Sequence, residues 1–275
     1  MMTKPFKLIR SSKKPIEQQR MRSRSILETL LLTLMVFSTL SSKAQRAPVA
    51  FETTEHRIAL LELFSSEGCS SCPPAETWLS GLTRSPRLWR DFVPLSFHVD
   101  YWDYLGWRDP WATKEFSDRQ RNYAEAWRRD SVYTPGFVLN GQEWREWWRP
   151  TDGPRSERMK IGILKISSKD QEHWQVRFEP GSGSKGEYGS HAALLESGLI
   201  SEVKAGENRG RRLTHDFVVA ALTEGSMKVD ENGLQGELLL RENRKTKPQR
   251  LAIAVWVTCA GRLEPVQAVG GWLPN

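Results

Sequence analysis

Apolar and polar positions change their spacing several times along the chain, and each change predicts a different element. From Ile58 to Phe64 the run is nearly continuous and apolar, which suits a strand buried on both faces. After a polar turn, Ala75, Trp78, Leu79 and Leu82 recur at helical spacing and predict an amphipathic helix. Phe92–Val99 reads as a second strand. Lys114–Arg129 returns to helical spacing through Phe116, Gln120, Tyr123, Ala124 and Trp127, with charge elsewhere, so an exposed amphipathic helix is expected. Asn140-Gly141 between two β-prone runs signals a hairpin with a type I′ turn. The breaker-rich stretch from Trp148 to Arg158 marks a boundary. Beyond it lie Ile161–Ile166, Trp174–Phe178, His191–Leu195, Leu199–Val203, Phe217–Leu222, Gly236–Leu240 and Leu251–Thr258, spaced like the strands of a small antiparallel sandwich.

The amino end is organised differently. Residues 1–24 carry eight Lys and Arg and one acid, Glu17; an apolar run follows from Ile26 to Leu40, then small residues at Ser42 and Ala44. That order predicts a secretory signal over 1–44 with a long basic region, and a polar linker over 45–57. The protein is therefore expected to be exported, periplasmic or secreted. The apolar run is short for a spanning helix, so membrane attachment enters only through an uncleaved leader. Without residues 1–44 the chain holds 31 basic and 31 acidic residues, so the high pI gives no case for nucleic acid.

Three cysteines remain to be placed. Cys69 and Cys72 lie in the turn between the first strand and its helix, and Pro73 and Pro74 fix the helix start directly after them. Unpaired N–H groups and the dipole at a helix start stabilise a thiolate. Cys69 is assigned as nucleophile and Cys72 as resolving thiol. Cys259 sits at the end of an apolar run and is expected to be buried and inert.

Strand, Cys-x-x-Cys, helix, strand, helix, then Thr134-Pro135 leading a hairpin is the order of the thioredoxin-like fold, and residues 58–147 resemble it throughout. More narrowly, Glu62–Ala75, Ser96–Trp107, Tyr133-Thr134-Pro135, Gly206–Gly210 and Leu213-Thr214-His215 resemble a secreted bacterial family called domain of unknown function 1223. The resemblance implies an α/β thioredoxin-like domain over 58–155, followed by a smaller, mainly antiparallel, sandwich-like β domain over 156–275. It implies that Pro135 is a cis-proline facing the thiols and that Glu62 stands near a buried acid of that fold. The last helix of the fold would fall at Trp147–Lys160, where Pro and Gly make it short, displaced or missing.

The resulting expectation is an exported thiol–disulfide oxidoreductase that exchanges Cys69 and Cys72 with protein thiols, protein disulfides or small thiols. Pro135 completes the site, and Glu62, Thr134, His98, Asp100 and Asp103 are candidate supports. Trp102, Trp107 and Trp111 are candidates for an apolar groove beside the thiols. No metal is expected, because structural zinc takes four N or S ligands and one close pair is present. No cofactor is expected beyond the redox-active disulfide. The Gly206–Gly210 loop reads as a tight turn in the β domain, and His215 as structural. The alternative is a non-catalytic secreted binding module, with Cys69–Cys72 as a structural disulfide beside an aromatic groove.

Overall fold

The computed structural model describes Met1 and residues 46–155, 158–181, 186–231, 233–241 and 247–274; the leader expected at 1–44 otherwise lies outside them. Among the described residues the elements are β1 (Val49–Glu52), β2 (Ala59–Ser65), α1 (Pro73–Gly81), β3 (Phe92–His98), α2 (Lys114–Ala126), β4 (Gly136–Leu139) and β5 (Gln142–Glu143). Strands alone follow: β6 (Gly162–Ser168), β7 (His173–Pro180), β8 (Tyr188–Ser197), β9 (Leu199–Glu202), β10 (Arg212–His215), β11 (Val218–Ser226), β12 (Lys228–Asp230), β13 (Gly233–Leu239), β14 (Arg250–Cys259) and β15 (Pro265–Trp272). None of the described helices is long and apolar enough to cross a membrane.

Eight strands form the central sheet, in the order β15-β14-β8-β11-β3-β2-β4-β5. Every residue of β2 and β3 is buried, as continuous apolar runs require. The two-residue period of a strand then assigns their side chains to opposite faces. Leu60 and Phe64 pack with Val93, Leu95 and Phe97 and with Phe116 and Tyr123 of α2. Ala59, Leu61 and Leu63 pack on the other face against Ala75 and Leu79 of α1. Further along that sheet, Ile253, Val255 and Val257 cluster with Leu164, Ile166, Trp174, Val176 and Phe178 of a second sheet, β1-β6-β7-β13-β12.

The join between the two halves of the chain is β11. It meets β3 in parallel at Val218 and Ser96, and runs antiparallel to β8. Ser96 N–H donates to the Phe217 carbonyl at 2.8 Å.

This architecture corrects the expected fold class. The chain is mostly β, with fifteen strands against two α-helices among the described residues, and is not an α/β thioredoxin-like domain with a small β domain behind it. The elements near the thiols fall where periodicity puts them, but pairing is non-local: strands on both sides of residue 155 share both large sheets. Val49–Glu52, expected as linker, pairs with β6. In place of the expected last helix, Trp144 and Trp147 in a turn pack on Trp78 and Phe137. Cys259 is exposed rather than buried, because it is the last residue of β14, past the buried stretch Ala252–Thr258. The hairpin turn has φ 51° at Asn140 and 81° at Gly141, both positive as a type I′ turn demands.

One ion pair is locked inside this core. Glu62 on β2 is fully buried and accepts from Arg119 Nε at 2.7 Å and from the Tyr123 hydroxyl at 2.6 Å, both on α2. Burial opposes the Arg119 charge, but Glu62 more than offsets it and raises the guanidinium above its usual range. The Arg119→Met variant leaves the Glu62 carboxylate buried and uncompensated, and about 3–5 kcal/mol of stability should be lost in urea unfolding. A loss below about 1 kcal/mol, the scale of a surface pair, contradicts this assignment.

Candidate functional site

Between the end of β2 and the start of α1 the chain makes the turn that holds both thiols. Cys69 and Cys72 are bridged, with Cα atoms 5.5 Å apart, and Cys72 is the N-cap of α1. The expected free N–H groups of that helix start are not there. Pro73 and Pro74 have none, and those of Ala75 and Glu76 donate to the Cys72 carbonyl at 2.9 and 3.1 Å. The helix dipole remains, and the polar neighbours of Cys69 Sγ are the Ser71 hydroxyl at 3.3 Å and the Thr134 carbonyl at 3.8 Å. The Thr134–Pro135 peptide is cis. The Trp102 indole donates to Thr134 Oγ1 at 2.8 Å, and its Cβ lies 2.8 Å from where a Cβ on Gly68 would stand, so only glycine fits there.

A loop from the far end of the sequence closes over this turn. Asn208, between β9 and β10, is buried and donates to the carbonyls of Glu67 and Cys69, both at 2.8 Å. Glu207 accepts from the Ser70 N–H at 3.0 Å. Cys69 and Cys72 are each only 1% exposed, while Ser70 and Ser71 between them face solvent. The Gly206–Gly210 loop is a turn between β9 and β10, as expected, and it also covers the thiol turn.

Beneath it lies a buried charged cluster of Glu67, Glu76, His98, Asp109 and His215. His98 Nδ1 meets Asp109 Oδ2 at 2.7 Å, and His215 Nε2 meets Glu67 Oε1 at 3.0 Å. Glu76 Oε1 and Oε2 stand 3.5 Å from His98 Nε2 and 3.4 Å from His215 Nδ1. Trp107 Nε1 donates to Glu67 Oε2 at 2.7 Å, and the Glu67 N–H to Asp109 Oδ2 at 2.8 Å. Burial alone would lower the two imidazoles, but Asp109 and Glu76 raise His98, and Glu67 and Glu76 push His215 up to about 10. Burial would raise Glu76 and Asp109, yet the facing histidines hold both carboxyls below their usual range. His215, expected as structural, is buried in this network between Glu67 and Glu76, and Glu76 faces both histidines.

Of the residues singled out in the sequence, Cys69, Cys72, Thr134, Pro135 and Trp102 come together, and His98, Trp107 and Trp111 meet at the cluster below. Glu62 belongs to the α2 pair instead. Asp100 binds the Ser117 hydroxyl and Asp103 accepts the Asp109 N–H, so both hold the loop after β3. Trp107 Nε1 is tied to Glu67, and Trp111 packs against His98 and His215; both rings are half-buried. Glu67, Glu76, Asp109 and Asn208 were not singled out as site residues, and His215 was read only as structural. One signal was legible: Glu76 is an acid on the apolar face of a helix, between Ala75 and Leu79 and one turn after Cys72. His215 and Asn208 lie about 140 residues from the turn, and nothing local reports that approach.

The protein is therefore a strand-rich chain with a covered disulfide turn over a buried carboxylate–histidine cluster. The chain belongs to the family described as "Protein of unknown function (DUF1223)", whose model matches residues 60–258. Among solved structures, protein AGR_C_4864 from Agrobacterium tumefaciens is similar, with 24% identity, TM-score 0.53, and 80% of this chain and 94% of that one covered. HBP35 of Porphyromonas gingivalis is also similar, with 9% identity, TM-score 0.53, and coverage of 80% and 76%. These two likenesses bear on the fold alone. No curated protein matches the chain.

If Asn208 holds the cover, Asn208→Ala leaves two carbonyls without their donor and costs about 1–3 kcal/mol. Dithiothreitol should then reduce the Cys69–Cys72 bridge several-fold faster than in wild type. An unchanged rate, read by quenching with a thiol-alkylating reagent, contradicts the cover role.

Proposed function

We propose that this protein is an exported thiol–disulfide exchange protein, with Cys69–Cys72 as its redox pair and protein or small-molecule thiols as its partners. The carrying observation is where the bridge sits. It joins positions three apart at the start of α1, with exposed Ser70 and Ser71 at the tip. As a staple it contributes little: the chain-entropy model gives about 2 kcal/mol for so small a loop, the low end for disulfides. As a redox pair it has the dipole of α1 behind it and the Ser71 hydroxyl beside Cys69 Sγ to donate to a thiolate.

In the reducing half of the cycle a partner thiolate attacks Cys69 Sγ along the S–S axis. The Cys69–Cys72 bond breaks, a mixed disulfide forms at Cys69, and Cys72 leaves as a thiolate. A second partner thiolate then displaces the Cys69 sulfur. The partner leaves as a disulfide, and the Cys69/Cys72 pair has gained two electrons and two protons. A more oxidising disulfide reverses both steps. With Cys69 1% exposed, either direction requires the Asn208 loop to move aside first. The basic, apolar and small-residue order of residues 1–44 supports export to an oxidising compartment, where such a bridge persists.

A second reading draws on the same burial: a secreted binding module whose bridge stays intact. Trapping separates the two. With a model thiol–disulfide mixture, Cys72→Ser should accumulate a mixed disulfide at Cys69 visible by mass spectrometry, and Cys69→Ser should lose turnover. A Cys69→Ser variant as active as wild type overturns the exchange reading.

A further inference from the structure

We propose that Glu76, His98 and His215 form a buried binding site for one divalent transition-metal ion of the zinc class. The three residues come from α1, the end of β3 and the end of β10, and one ligand atom from each lies within 4.8 Å of the other two. His98 Nε2, His215 Nδ1 and both oxygens of Glu76 are buried without a hydrogen-bond partner. Their side chains are 0%, 2% and 6% exposed.

The bland account of such a cluster is a carboxylate bridging two imidazolium rings. Charge-assisted hydrogen bonds of that kind close to about 2.7–2.9 Å. The outer contacts of the same rings come near that range, at 2.7 Å to Asp109 and 3.0 Å to Glu67. The inner contacts stop at 3.5 and 3.4 Å. Each ring nitrogen faces its own Glu76 oxygen, and zinc bonds of about 2.0–2.1 Å set tetrahedral ligand–ligand edges of about 3.3–3.4 Å, so this spacing has room for a metal between the two rings and the carboxylate.

The surroundings match the same reading. Metal-binding histidines characteristically hold their other ring nitrogen on a carboxylate, which fixes the ring and raises its basicity. Here both do, one on Asp109 and one on Glu67. Two imidazole nitrogens and a carboxylate form a borderline donor set that suits zinc, cobalt or nickel better than calcium or magnesium. Three protein ligands leave a fourth position for water. The Trp111 indole packs on both histidine rings, at 5.6 and 5.0 Å between centroids, and its buried N–H lacks a partner. The sequence expectation of no metal rested on local spacing of thiols. The ligands here are separated by long stretches of chain and include no sulfur.

The inference stands independently of thiol exchange. The test uses the full mature chain, stripped with a chelator and titrated with Zn²⁺ against a chromogenic competitor, and in parallel with Co²⁺ by visible absorption. One Zn²⁺ per chain should bind, the Co²⁺ form should show the intense bands of a tetrahedral ion, and melting temperature should rise with added metal. Glu76→Gln and His215→Gln should each weaken binding at least about 100-fold, and Asp109→Asn about 10–100-fold, by loss of the outer carboxylate. The Cys69→Ser/Cys72→Ser double variant should bind as wild type does. Absence of stoichiometric binding by wild type overturns the site, as does full affinity in a Glu76→Gln variant that keeps its circular dichroism. Binding lost only in the cysteine double variant also overturns it, by moving the metal to the thiols.

Discussion

Five ionisable groups, Glu67, Glu76, His98, Asp109 and His215, are shut away from water under one turn of chain, and the structure around them depends on how their charges are met. An isolated buried charge costs several kcal/mol, so each must face a partner of opposite sign or a cation. The partners come from five places: the thiol turn, α1, the end of β3, the loop after it, and β10. No two of those segments can shift alone without leaving a buried charge uncompensated. That constraint, beside sheet pairing and apolar packing, fixes where β10 meets the thiol turn.

The same constraint explains why the thiol turn has its present form. Glu67 enters the cluster two residues before Cys69, and Glu76 enters it one helical turn after Cys72, so the disulfide is anchored from both sides. Its outer surface is held by Asn208 and Glu207, which follow β9 and precede the histidine of β10. A single segment, from the Gly206–Gly210 loop to His215, therefore covers the bridge from above and supplies a ligand atom below. Movement of that segment would change access to the sulfurs and the geometry of Glu76, His98 and His215 together.

How much of this was legible in the sequence follows from the range of each interaction. The β2–turn–α1 unit, β3, α2, the Asn140-Gly141 turn and most carboxyl-terminal strands rest on periodicity and turn chemistry within a few residues, and they fall where those rules put them. Sheet order does not. The pairing of β11 with β3 joins Val218 to Ser96, and no local pattern distinguishes it from pairing within a separate sandwich, so the fold class was misread. At the site, Cys69 and Cys72 announce themselves by spacing, and Pro135 through the resemblance to the thioredoxin-like order. Glu76 was visible as an acid on an apolar helix face, whereas Asn208 and His215 become functional only through a contact across the fold. The expectation of free N–H groups at the start of α1 failed for a local reason that the sequence did contain: both first-turn residues are proline.

The most direct test of the exchange reading is the reduction potential of the Cys69–Cys72 pair in the mature protein, equilibrated in glutathione buffers and quenched by alkylation. Between thioredoxin and the strong periplasmic oxidants, roughly −270 to −120 mV, the pair can pass electrons to and from partner thiols, and that is the result expected here. A potential below about −300 mV would mean a bridge that the glutathione pool does not open, and would contradict the account.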